Sequence, residues 1–257
     1  MRSHFPFRSN ARVFLALIAC ASQLAFTPLN AHPVGAAAAA CSASGDSAQS
    51  CVEHLTEVHH SHVIRGVTFY YQDRQLSCEE ASTSMALTHQ GIHLSQDQIL
   101  TEIGADARPM YVDADGQVRW GNPYETFVGN VDASESNYTG FGTYYPPLVR
   151  VAEAHGANVL AYGSMPAAAI YKLVIEDHPV VAFATWDWQW HARHDYLSFD
   201  GRWIPWIGPV YASHVYVVVG VSTSEVLIND PIRGQYWISK EAFEAGYSDF
   251  NEAIAFA

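Results

Sequence analysis

Gln72-Asp73-Arg74-Gln75-Leu76-Ser77-Cys78-Glu79-Glu80-Ala81 is the stretch on which the reading of the fold turns. Ser77 with Glu80 three residues on reads as a capping box, so a helix is predicted to begin at Cys78. Ala81, Met85 and Thr88 give it an inward face, and His89-Gln90-Gly91 closes it. A cysteine in the first helical turn meets unpaired backbone N–H groups and the positive end of the helix dipole. Both favour the thiolate, the nucleophilic form. Its own N–H can point at a developing oxyanion. A nucleophile also needs a base, and the base an orienting group.

Working outward, Val63 to Tyr71 has strand composition, and a second helix starts at Ser95 with Gln98 as its box partner. Met110 to Trp120 reads as a hairpin turning at Asp113-Ala114-Asp115-Gly116. That turn supplies only part of a calcium loop's ligands. Residues 121–146 form a long Gly/Asn/Ser/Tyr-rich loop, a type often functional, with a glycosylation acceptor at Asn137. Helices follow at 146–155 and 166–177, with a short strand between. Strands are then predicted at Pro179–Trp186, His214–Val221, Glu225–Asp230, Gln235–Ile238 and Ala253–Ala257, and a short helix at Lys240–Gly246. The apolar run after His214 marks a strand buried on both faces. Helices first and a mainly antiparallel sheet later give an α+β domain.

His214 opens the most apolar strand and Asp230 closes the next. If Val221 pairs with Val226, Arg233 falls opposite His214. Asp230 then lies three residues off, about 10 Å at ~3.4 Å per residue. A bulge, strand twist or early turn at Pro231 is needed to bring the two together.

Gln72-x5-Cys78, Ser213-His214-Val215 and Asn229-Asp230-Pro231-x2-Gly234 carry a family resemblance. So do Gly121-Asn122-Pro123-Tyr124, Phe127-Val128-Gly129 and Tyr145-Pro146-Pro147-Leu148. Together they resemble the C39-like papain-fold cysteine peptidases, most closely their exported branch, over about residues 64–257. The resemblance implies a papain-like fold, Cys78 as nucleophile, His214 as base and later acid, and Asp230 as the group that fixes the imidazole. Gln72 would donate its amide to the oxyanion hole, with Gln75 as a rival for that role. It further implies a peptide or amide hydrolase working through an acyl-thiol intermediate, with a peptide or protein substrate. Glu79 departs from the glycine that many C39 peptidases carry after the nucleophile. It opposes a charge on Cys78 and stands as a candidate substrate contact. The resemblance leaves open acyl transfer to an amine on the same site. A non-catalytic extracellular binding domain that keeps the fold is the competing expectation.

Composition narrows the classes. The chain has 257 residues with 49% hydrophobic and 15% charged, enough for one packed domain. Its net charge of -13 and the lack of a basic stripe speak against nucleic-acid partners. Residues 1–31 read as an export signal, with Arg2, Arg8 and Arg12 before the apolar Val13–Phe26 run, so a secreted protein is expected. Leu17-Ile18-Ala19-Cys20 also resembles a lipobox, and membrane attachment is expected only if Cys20 is lipidated. Residues 32–63 read as a low-complexity linker and N-terminal edge, within which Cys41 and Cys51 are placed to close a small disulfide loop. Cys78 is then the spare thiol.

Trp186, Trp188 and Trp190 alternate, which places one aromatic face on a strand, and Trp186 and Trp188 are candidate substrate contacts. The His54/His59/His60/His62 patch and His191-x2-His194-Asp195 lack a convincing ligand set, so neither metal nor cofactor is expected.

Overall fold

The computed structural model describes residues 61–208 and 213–257. The proposed signal, the lipobox cysteine, the Cys41–Cys51 pairing and most of the linker lie outside the described residues. Five helices are described: α1 (Cys78–Thr88), α2 (Gln96–Ile103), α3 (Tyr145–Ala154), α4 (Ala167–Ile175) and α5 (Lys240–Tyr247). The main sheet contains β1 (His62–Val63), β2 (Val159–Ser164), β3 (Val180–Thr185), β4 (Ser213–Val221), β5 (Glu225–Asp230), β6 (Gly234–Ser239) and β7 (Glu252–Phe256). Its order is β6-β5-β4-β3-β7-β2, and all its pairings are antiparallel. β1 joins the last residues of β4, past the point where β3 stops. Two small sheets stand apart. One joins 105–106, 127–129 and 140–142; the other joins 111–112, 118–120, 196–198 and 203–204.

The sheet is covered on both faces. Val215, Val217 and Val219 of β4 enter one core with Met85, Leu87, Ile99 and Leu148. Tyr216, Val218 and Val221 enter the other with Ile170, Val174, Phe243 and Tyr247. The run of valines follows from this, since neither face of β4 meets water. The parity change between Val219 and Val221 marks a bulge. Val221 pairs with Val226 and Gly220 with Leu227, but Val218 pairs with Ile228 and Val217 with Asn229.

Some expectations are corrected. The expected strand Val63–Tyr71 is cut short: β1 covers only His62–Val63, Ile64 N–H adds one bond to Val219 O, and the chain then bends at Arg65–Gly66 and runs on without strand pairing. The helix does begin at Cys78, but Ser77 makes no capping bond. Its hydroxyl donates to Gln96 Oε1 at 2.9 Å and accepts the Arg74 N–H at 3.1 Å, so it serves the loop before the helix instead. α1 has no solvent face: all eleven residues are buried. Ser82, Ser84 and Thr88 return their hydroxyls to carbonyls of Val215, Leu94 and Met85, which lets a polar-looking helix sit in the core. The capping box at Ser95 and Gln98 is complete, and the Asp113–Gly116 turn closes a hairpin.

The three tryptophans do not share a face. β3 ends at Thr185, and Trp188 takes a left-handed φ of 59°. Trp188 turns inward, stacks on Tyr216 at 4.2 Å and donates to Tyr236 Oη, while Trp190 is exposed. Trp188 is a core residue rather than a substrate contact.

Candidate active site

α1 starts beside the first residues of β4 and the turn after β5, and with the loop before it, residues 133–136 and Trp186 it forms a cleft of about 240 Å³. Cys78, Glu79, His214, Trp186, Gln72 and Gln75 all line it, together with Glu135, Phe141 and Ile232. Cys78 is a free, buried thiol. The His214 ring is 3% exposed, and its Nε2 lies 3.0 Å from Oδ1 of the fully buried Asp230. The bulge closes part of the expected gap. Continuing the Val217–Asn229 register sets Asp230 level with Tyr216, two residues from His214 instead of three. The remaining offset of about 7 Å is spanned by the two side chains.

Asp230 is heavily supplied with donors. Oδ1 also accepts the N–H groups of Ile232 (2.8 Å) and Arg233 (3.1 Å), and Oδ2 accepts Tyr236 Oη–H at 2.9 Å. Burial alone would raise its pKa. The hydrogen bond and charge of His214, with these backbone donors, hold it down at about 2. An ionised Asp230 only accepts, so the His214 proton sits on Nε2 and the Nδ1 lone pair is left free. Burial keeps the imidazole below its ordinary pKa, with Asp230 opposing. Trp186 stands edge-on to the imidazole at 5.0 Å and carries the Arg233 guanidinium at 3.7 Å over its ring.

The thiol differs from expectation. Helix position was to lower its pKa; instead burial, then the Glu79 charge and hydrogen bond, raise it well above the ordinary value. The Val215 N–H, directed at the sulfur, opposes this. Cys78 Sγ donates to Glu79 Oε2 at 3.1 Å. Gln72 also differs. Its amide donates to the carbonyls of Arg74 (2.7 Å) and Gln75 (2.8 Å), which uses both N–H bonds within the loop. Its backbone N–H bonds Pro231 O, which ties this loop to the turn after Asp230.

Several contributors were not singled out from sequence. Gln96 orders the pre-helix loop, accepting Asp73 N–H and Ser77 Oγ–H and donating to Tyr71 O. Glu135, from the long loop, is 5% exposed and accepts Trp206 Nε1–H at 3.2 Å. The only sequence signal for it was the length of that loop. Glu80, expected as the capping-box partner of Ser77, is instead fully buried, and both its carboxyl oxygens lack partners. Burial and the Glu79 charge raise it well above the carboxylate range. Among the described residues no group of three or more His, Cys, Asp or Glu side chains is arranged to hold a metal ion. His191, which sequence placed in a metal-like spacing, lies against Asp187.

The buried acids make stability fall with rising pH. Burial raises Glu79 to about 7 and Glu135 to about 8, from an ordinary 4.5. Between those limits the folded chain holds protons that the unfolded chain has released, so each step up in pH favours unfolding. Urea midpoints are expected to fall from pH 5 to 8.5, less steeply above pH 6.5 in Glu135→Gln. Equal slopes for the two proteins would remove Glu135 from this account.

The sequence profile of the Peptidase_C39 like family matches residues 41–254. The chain belongs to this family. It is similar to the crystal structure of a C39-like peptidase from Bacillus anthracis, with a TM-score of 0.64 and 24% identity over 76% of this chain and 97% of that one. The likeness fixes the α+β, papain-like architecture, with helices packed on a mainly antiparallel sheet. Weaker likenesses reach the peptidase domain of Streptococcus ComA, a bi-functional ABC transporter (TM-score 0.43, 15% identity, 74% and 98% covered). They also reach a double glycine motif protease from an AMS/PCAT transporter, solved with its leader peptide (TM-score 0.41, 18% identity, 76% and 97% covered). A search of curated proteins finds no match.

Proposed function

We propose that this C39-like chain is a cysteine hydrolase that opens peptide or other amide bonds through an acyl-thiol intermediate on Cys78. The observation that carries the reading is the buried 3.0 Å bond from His214 to Asp230, on the same cleft as a free thiol at a helix start.

The resting pair is neutral: burial drives the thiol up and the imidazole down. Proton transfer therefore accompanies attack. Sγ bonds to the carbonyl carbon while its proton passes to His214 Nδ1, and Asp230 stabilises the imidazolium. The oxyanion meets the Cys78 N–H at the start of α1. An amide N–H of Gln72 joins it once released from Arg74 O or Gln75 O. The imidazolium proton then goes to the leaving nitrogen as the C–N bond breaks. Water attacks the thioester, gives a proton to His214, and the thiol is regenerated. An amine in place of water would make the same site a transferase. Residues 1–31 send the protein out of the cell, and Cys20 would hold it at the membrane if lipidated.

The engaged Gln72 amide and the raised thiol favour a second reading, a binding domain with a silent site. A quenched-fluorescence peptide library, with iodoacetamide labelling of Cys78 followed by peptide mapping, separates the two. Cleavage by the wild type that is lost in Cys78→Ala supports the hydrolase. Absence of both cleavage and labelling in folded protein would leave the binding domain.

A further inference from the structure

Glu79 sits between the nucleophile and a glycine that has been cut away for it. One carboxyl oxygen, Oε2, takes the Cys78 S–H at 3.1 Å. The other, Oε1, takes the Thr143 N–H at 3.0 Å. A Cβ on Gly142, where φ is +132°, would stand 2.1 Å from Oε1. Any side chain there would expel the carboxyl group, and the backbone conformation is itself one that favours glycine. Glu79 is 5% exposed, so its carboxyl group is largely withdrawn from solvent. Both bonds are those of an acceptor, which the ionised carboxylate makes with the thiol as donor.

We propose that Glu79 is a positioning residue that restrains the nucleophile, its carboxylate holding Cys78 as a neutral, oriented S–H until that bond is turned toward His214. The inference rests on the hydrolase reading only for its catalytic meaning; the state of the thiol is measurable without a substrate. The groups around the pair are consistent with this. Glu80 on α1 and Glu135 from the facing turn add acidic character, and Tyr216 of β4 is electrostatically coupled to the sulfur. His214 of the same strand is held neutral by burial, and among the described residues no Lys or Arg lines the cleft. A thiolate in this setting has the Val215 N–H as a stabilising donor and an ionised carboxylate against it. Uptake of a proton by Glu79, which titrates at about 7, lifts the restraint from the acid side.

The test is a titration of thiolate absorbance in the full chain, taken as the difference between each protein and its Cys78→Ser counterpart, with iodoacetamide rates alongside. The wild-type midpoint is expected above the ordinary thiol value of ~8.5. Glu79→Gln keeps an oxygen for Thr143 but removes the charge. It is expected to lower the midpoint by at least ~1 unit and raise the alkylation rate at neutral pH about tenfold. An unchanged or higher midpoint in folded Glu79→Gln overturns the proposal. So does a wild-type midpoint at or below ~8.5, a reading that needs no variant to fold. If the midpoints move as expected while no peptide is cleaved, the hydrolase reading fails and the restraint stands. Cleavage with unmoved midpoints sinks the restraint alone.

Discussion

His214→Ala is expected to lower peptide turnover by about 10²–10⁴-fold, the usual worth of a positioned acid–base group. The reason is geometric. Nε2 is committed to Asp230, and the neutral ring, held low by burial, presents a free Nδ1 as the base at a cleft it shares with Cys78. Among the described residues no other imidazole lines that cleft. The fold should survive, because Asp230 keeps its bonds from Ile232, Arg233 and Tyr236. Steady-state rates of the folded variant, checked by circular dichroism, decide the point. Turnover within a factor of two of wild type would take His214 out of the mechanism.

Asp230→Ala is expected to be the most destabilising single change in the site, by about 3–5 kcal/mol, as for removal of one partner from a buried pair. The carboxylate has no exposed surface and collects donors from His214, two backbone N–H groups and Tyr236. Deleting it leaves those buried donors without their acceptor. The loss should depend on pH. Asp230 titrates at about 2, below the ordinary 3.8, so its contribution is complete above the ordinary value. It fades as pH falls through the folded one. Urea unfolding at pH 7 should therefore show the full gap between variant and wild type, and unfolding near pH 2.5 a smaller one. A gap under about 1 kcal/mol at pH 7 would mean that the turn, not the carboxylate, holds this corner.

Much of this corner was legible because it is local in sequence. Cys78 at a helix start, His214 at the head of a valine run and Asp230 before Pro231 each carry their own signal, and counting from a Val221–Val226 pair shows a gap that a bulge, a twist or an early turn at Pro231 has to close. What was not legible depends on contacts across the chain. Burial on every side of α1 comes from β4 and the loops, and no periodicity in Cys78–Thr88 announces it. The alternation of Trp186, Trp188 and Trp190 gave a strand face, but β3 stops one residue earlier and a left-handed Trp188 breaks the pattern. The sequence reading of Cys78 sets Glu79 against the helix dipole but not Glu80 or Glu135, because sequence does not say how dry a carboxylate will be. Gln72 was read as a free donor, yet carbonyls two and three residues along take both its N–H bonds.

The extra residue at Val219 acts as a vernier for the chemistry. It lies five residues from His214, about 17 Å along the strand, yet it sets how the histidine and aspartate strands slide past each other. Deleting it would restore an unbroken ladder, retreat Asp230 by one notch and exchange the inward and outward sides of β4 beyond that point. Gly220 guards the adjustment: a Cβ there would meet Leu227 at 2.9 Å and the His62 carbonyl at 3.0 Å. Inherited or engineered changes at this remote, wholly apolar place would thus present as loss of catalysis in a protein that still folds, with nothing altered in the cleft's own list of residues.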